Sequence, residues 1–174
     1  MNRRNFIKSL FLGLCGTIFI ADSANAGVLK PSKNKMDKLL QKHSLVVYKN
    51  FKISCYDGRG ISPLMQYLEN DDFSGAYVAD KRIGKASALL LAYGNVKEVY
   101  TPVISKPAIE VFKKQNINFF AVKIVDNILN RDLTDLCPME KKVKNIDDPK
   151  KAYELFKTIN SEKNNCKDIK SPLP

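Results

Sequence analysis

Three short stretches hold residues able to do chemistry. In "DGRG", Gly58 and Gly60 flank Arg59. Glycines let backbone N–H groups turn toward an anion, and a guanidinium adds a bidentate fork. The same stretch also reads as a strand-to-helix turn that needs glycine's left-handed backbone. In "ADKRIGKASALLLAYG", Ala79 to Gly94, Lys81 and Lys85 stand four apart, so both fit one face at the first turn of a helix. Cations there oppose the helix dipole and call for an anion. Asp80 can be that anion, which makes the set structural, or a bound phosphate or carboxylate can supply it, which makes it a pocket rim. Gly84 lowers helix propensity by roughly 1 kcal/mol against Ala and suits the close approach of a ligand or another backbone. In "NRDLTDLCPME", Cys137 precedes Pro138 at an expected helix start, a place that favours thiolate. Asn130 and Arg131 join the ligand-binding candidates, Asp132 or Glu140 can orient a proton, and Lys141 can add positive charge. The alternative for Cys137 is a buried small residue or half of a disulfide.

These residues need elements to position them. "KMDKLLQK", Lys35 to Lys42, has helical spacing. "SLVVYKNFKISCY" reads as two strands joined at Lys49-Asn50, a hairpin. Ser62 with Pro63 opens a helix that Asn70 ends. "GAYVA" is a short buried strand. The apolar helix that follows runs from about Arg82 to Tyr93, with Gly94 just past its end. "VKEVYT", a helix capped by Ser105, and "INFFAVKIV" continue the strand–helix alternation. Helices open at Pro138 and, capped by Asp148, at Pro149. Strands alternating with helices after a hairpin predict an α/β fold, a three-layer α/β/α sandwich with a mixed sheet. Ligands gather at strand C-terminal ends and helix N-termini in such sheets, where the three stretches fall.

The N-terminus reads as a leader. "NRRNFIK" precedes the apolar "SLFLGLCGTIFI", and "ADSANA" gives a small-x-small exit at Ala24-Asn25-Ala26. The paired Arg3 and Arg4 match a twin-arginine signal, which exports folded protein. The apolar run is short for a membrane span. The expected layout is therefore a signal peptide over 1–26, a linker and helix over 27–43, the α/β domain over 44–160 and a polar tail over 161–174. This places the protein in the periplasm or otherwise outside the cytoplasm, with membrane contact only during export.

Formal net charge is +11. Arg3, Arg4, Lys8 and Asp22 account for +2 of it, leaving +9 on the processed chain. The lysines are scattered among acids, and no aromatic-basic motif for nucleic acid appears, so none is expected as a partner. A small anionic ligand remains compatible with the charge. Cys55, Cys137 and Cys166 follow the leader, enough for at most one internal disulfide. His43 is the single histidine.

The runs "DGRGISPL", "VADKRIGKASALLLAYG", "VISKPAIE" and "NRDLTDLCPMEKKV", followed by "DDPKKAYELF", resemble an uncharacterised prokaryotic domain family with a cytidine-deaminase-like fold. The resemblance covers about Leu45 to Phe156 and implies that fold without bringing a known reaction. Zinc deaminases hold their metal through His or Cys with x-Glu at one helix start and Pro-Cys-x-x-Cys at the next. The corresponding starts here read "GKA", Gly84 to Ala86, and "SKPAIE", Ser105 to Glu110, without such ligands. No metal and no cofactor are expected. The expected function is binding of a small anionic ligand, with a nucleotide-like one suggested by analogy with the fold, by Gly58, Arg59, Gly60, Lys81, Lys85, Asn130 and Arg131. The alternatives are a metal-independent enzyme that uses Cys137 as nucleophile with Asp132 and Asp80, or a non-catalytic interaction module.

Overall fold

The computed structural model describes residues 31–168, with side chains to residue 161. The expected leader over 1–26 lies outside the described residues. The first helix, α1 (Lys33–Lys42), is capped by Ser32, whose Oγ accepts from the Lys35 N–H at 3.3 Å. A hairpin follows, β1 (Leu45–Lys49) and β2 (Lys52–Tyr56), turning through Asn50 and Phe51 with φ of 51° and 62°. Two left-handed residues match the twist of paired strands. Phe51 tolerates that conformation with its side chain in solvent.

Helix α2 (Ser62–Leu68) comes next. Its N-cap is Ile61 without a side-chain bond, so Ser62 belongs to the first turn with Pro63 instead of capping it. β3 (Tyr77–Asp80), the two-residue β4 (Arg82–Ile83) and α3 (Lys85–Tyr93) form the centre. The sequence pattern starts this helix at Arg82. The chain stays extended to Ile83 because that segment pairs with a neighbouring strand. Residues Ala86 to Ala92 of α3 are all buried, in keeping with an apolar run on every side. Gly94 ends the helix at an ordinary φ of −79°, and Asn95 takes the left-handed position at φ 56°. Gly94 is glycine for room: a Cβ there would sit 2.5 Å from Phe73 Cδ2.

β5 (Glu98–Ser105) and β6 (Asn118–Val125) flank α4 (Lys106–Lys114), which Ser105 caps through the Ala108 N–H at 3.4 Å. α5 (Pro138–Lys142) and α6 (Pro149–Asp168) close the chain. Asp148 Oδ1 accepts from the N–H groups of Lys150 and Lys151 at 2.8 and 3.2 Å, which opens α6. α6 runs past position 160, where the sequence reading ends the domain.

The sheet is mixed. β2, β1 and β3 pair antiparallel, while β3, β4 and β6 pair parallel with β5. One face is covered by α2, α3, α4 and α6, the other by α1 through Met36 and Leu40 against Val46 and Ala79. This gives the α/β/α layering the sequence calls for.

β3 and β4 are one strand interrupted at Lys81, and β5 shows why. β5 carries Pro102, which has no N–H to give. The next donor, Val103 N–H, turns to Thr101 Oγ1 at 3.2 Å. Both ladders of β5 skip Pro102: Ala79 pairs with Tyr100 and Arg82 with Val103, while Thr101 pairs with Ala121 and Val103 with Lys123. Proline inside a sheet marks a break. Here the break lies at the C-terminal ends of the parallel strands, beside the first turns of α3 and α4.

Candidate functional site

The start of α3 holds an anion, and the protein itself provides it. Glu140 of α5 accepts from the Lys85 N–H through Oε2 at 2.8 Å and from the Ala86 N–H through Oε1 at 3.0 Å. A carboxylate on the first amides of a helix is where the dipole favours one. Burial pushes the Glu140 carboxyl up, and the two amide bonds and the Lys85 charge oppose that shift. Gly84 is the residue that admits it, since a Cβ there would lie 2.5 Å from Glu140 Cδ. The close approach that the glycine suggests is thus to a side chain of α5.

Lys85 is engaged in the same way. Its ammonium donates to the Lys144 carbonyl and pairs with Asp147 Oδ1, both at 2.9 Å, on the connection between α5 and α6. The Lys114 ammonium, 3.5 Å from Asp147 Oδ2, shares that carboxylate. Asp147 is held below the usual carboxylate range, first by its bond to Lys85. The counter-charges for this part of the opening cations are Glu140 and Asp147, so Lys85 fastens α3 to the C-terminal helices.

Asp80 and Lys81 sit at the broken ladder. Asp80 is half-buried and Lys81 exposed. Asp80 Oδ1 accepts from the Arg82 N–H at 3.1 Å, closing a short turn across Lys81. Burial pushes the Asp80 carboxyl up to about 7, against the opposing pull of the backbone donors and charges of Arg82 and Lys81. It is a carboxyl that titrates near neutrality at the strand ends.

The hairpin brings a pair that the motif reading left aside. The register pairs Leu45 with Tyr56, so the residues just outside it, His43 and Ser44, meet Asp57 and Gly58. His43 Nδ1 lies 2.9 Å from Asp57 Oδ2, and the Ser44 N–H donates to Asp57 Oδ1 at 3.1 Å. Ser44 Oγ donates to the Gly58 carbonyl at 3.1 Å. The bond from His43 chiefly holds the Asp57 carboxyl down, with the Ser44 N–H and the nearby Lys81 charge adding to it. The Lys81 charge therefore acts on the loop that carries Arg59. The strand register was the signal that could have found His43, because a hairpin turning at Asn50 must align positions 43 and 44 with 57 and 58.

Gly60 takes the left-handed conformation at φ 58°, and the loop turns there into α2. Arg59, Gly60 and Ser62 form one wall of a cleft of about 200 Å³. Met65 of α2, Pro138 and Met139 of α5, and Phe156 and Ile159 of α6 complete its apolar lining. Arg59 makes no ion pair among the described residues.

Asn130, Arg131, Asp132 and Cys137 lie on the β6–α5 connection. Asn130 organises it: Oδ1 accepts from the N–H groups of Thr134 and Asp135 at 3.0 and 3.4 Å, and Nδ2 donates to Thr134 Oγ1 at 3.0 Å. Those bonds use its side chain within its own loop. Arg131 and Asp132 are exposed. Cys137 is half-buried, unbridged among the described residues, and its N–H donates to the Ile128 carbonyl at 3.0 Å. The chain's one imidazole is committed to Asp57, so no histidine stands with the thiol. Among the described residues no group of three His, Cys, Asp or Glu is placed to hold a metal ion.

A mixed α/β sheet with charged side chains gathered at its strand C-terminal ends is a recurrent ligand-binding architecture. The family is known more narrowly: residues 34–159 match the TM1506 domain of unknown function (DUF1893), and the chain belongs to that family. It is similar to the crystal structure of a DUF1893 family protein (TM1506) from Thermotoga maritima, with 27% identity and a TM-score of 0.66. The match covers 74% of this chain and 92% of that one. No curated protein matches the chain significantly.

Two outcomes test this geometry. Gly84→Ala must displace Glu140 from α3, leaving two amides without their acceptor. Urea unfolding is expected to show a loss of about 1–3 kcal/mol, as it should for Glu140→Ala, although alanine is the better helix former. A Gly84→Ala protein as stable as wild type would show that α3 does not need this cap. For Asp80 the ordinary value is 3.8 and the folded value about 7. Between those values the unfolded chain binds fewer protons, so this group makes stability fall as pH rises through the window and leaves it level above. Asp80→Asn removes that titration. Its melting temperature relative to wild type should climb across the window and then hold, and a constant difference would contradict the raised carboxyl.

Proposed function

We propose that this chain is an exported α/β domain that binds a small organic anion in the cleft beside Arg59, with the Lys81 charge, which acts on Asp57 of the same loop, adding to the positive field. One observation carries the reading: the Arg59 side chain, free of ion pairs among the described residues, belongs to a cleft lined largely by apolar groups. A cation at the edge of an apolar hollow suits a ligand with one anionic end and an apolar body. The volume, about 200 Å³, is below the usual range of roughly 300–1,000 Å³ for drug-sized ligands. It favours a compact carboxylate or phosphate ester over a whole nucleotide. Lys85, Gly84 and Asn130 then serve as scaffold around the site.

The fold reading goes one step finer. An antiparallel hairpin followed by parallel β3, β5 and β6, with α3 and α4 starting at strand ends, supports a cytidine-deaminase-like arrangement without its zinc ligands. Cys137 as a nucleophile is the second reading, favoured by its place next to Pro138 of the same cleft.

Thermal-shift titration with inorganic phosphate and with small aliphatic and aromatic carboxylates tests the site. A ligand at a hundred times its Kd adds about 2.7 kcal/mol of stability. We expect stabilisation of the wild type by at least one carboxylate, and its loss in Arg59→Ala. No shift with any probe, or an undiminished shift in Arg59→Ala, would overturn the reading. Blockage of Cys137 alkylation by the same ligand would place the thiol in the cleft.

Export rests on Arg3, Arg4 and the apolar run behind them. Replacing both arginines by lysine keeps the charge and removes the twin-arginine pair. Cell fractionation should then find the protein retained in the cytoplasm. Unchanged export of the double variant would remove the twin-arginine assignment.

A further inference from the structure

The sheet ends on β6, whose only ladder partner among the described residues is β5. β6 is eight residues long and carries no proline and one charge, Lys123. Edges of that kind are normally short, charged or covered. Alternate residues of β6 share a face. Phe119 and Ala121 pack on the α4 side. Phe120, Val122 and Ile124 therefore face the α1 side, where they are 41%, 68% and 58% exposed. α1 reaches only the first of them: Phe120 stacks on Tyr100 at 5.9 Å, Lys33 Nζ lies 3.2 Å above the Phe120 ring, and Tyr100 donates to Asp37 of α1. Beyond Phe120 the apolar stripe is uncovered by any described element.

We propose that β6 is the dimerisation edge of this protein, pairing antiparallel with β6 of a second copy about a twofold axis at Val122. The strand is complementary to itself in that register. Val122 meets Val122 of the partner subunit, and Phe120 meets the partner subunit's Ile124, an aromatic–β-branched pair of the kind that stabilises sheets. Lys123 falls opposite the partner subunit's Ala121, so no like charges face each other. Moving the axis to Lys123 would oppose the two ammonium groups. Moving it to Ala121 would set Ile124 against the partner subunit's Asn118 and leave part of the stripe unpaired. A twofold interface uses one patch on both copies, and this patch meets that condition in one register. The two six-stranded sheets become a single continuous one, and the open edge disappears.

The experiment is sedimentation equilibrium of the full chain, with Val122→Lys and Val122→Cys as probes. Wild type is expected to show twice the monomer mass at micromolar to submillimolar concentration and a melting temperature that rises with protein concentration, and Val122→Lys the monomer mass with cooperative unfolding at a lower, concentration-independent temperature. Val122→Cys places two cysteines opposite each other on the axis with Cα atoms roughly 4.5–5.5 Å apart, within the range a disulfide spans. Mild oxidation should give a covalent dimer well above the wild-type background, and Lys123→Cys should not. A monomeric wild type, a Val122→Lys protein that still doubles its mass, or equal cross-linking at positions 122 and 123 would each overturn the proposal. Dimerisation that appears only after removal of residues 1–26 would assign the stripe to the N-terminal segment in the full chain and likewise overturn it.

Discussion

A single carboxylate holds the centre of this molecule to its C-terminal third. Helix α3 is buried on all sides, so its first amides have no water to satisfy them, and unmet donors in such a place are costly. Glu140 meets two of them from 54 and 55 residues away in sequence. For it to do so, α5 must lie across the start of α3 and position 84 must lack a side chain. Lys85 then adds a second tie to the α5–α6 connection through Asp147 and Lys144. These ties, together with the burial of Val143, Ala152 and Phe156 in the core, fix where α5 and α6 go and so set two walls of the cleft beside Arg59.

The cap also explains the charges at the mouth of the apolar helix. Lys85 is an anchor with its own counter-ion. Lys81 is exposed, and its charge acts on Asp57 in the loop that bears Arg59. Two lysines four residues apart thus part company, because α3 begins only at Lys85 and Lys81 lies on the extended chain before it. Spacing on a helix is evidence of a shared face only if both residues are on the helix.

Much of the architecture could be read from residue patterns. The hairpin, the alternation of strands and helices, the Ser105 and Asp148 caps and the all-apolar α3 are local properties of the chain, and local chemistry sets them. What escaped reading was non-local. Nothing near Gly84 points to Glu140, and the pairing of His43 with Asp57 needs the hairpin register before it can be seen. The break between β3 and β4 is caused by Pro102, a residue on another strand. Gly94 is a similar case: its neighbour Phe73 sets its identity, while Asn95 makes the turn. Within the candidate site, Arg59 and Lys81 were accessible from their types, and the acids that neutralise Lys85 were not.

The proline in β5 has one more implication. Pro102 withholds a donor, and Val103 spends part of its own on Thr101, so the ladders on both sides of β5 thin out at the same level. On one side of that level lie the pairings of β3 with β5, and on the other the buried strand tips that enter α3 and α4. Past it the ladders resume, Arg82 and Ile83 with Val103 and Ile104, and Val103 to Ser105 with Lys123 to Val125. The missing rung is a local notch: it releases the Asp80–Lys81 turn from the ladder and leaves the strand tips beyond it anchored by the helices they enter.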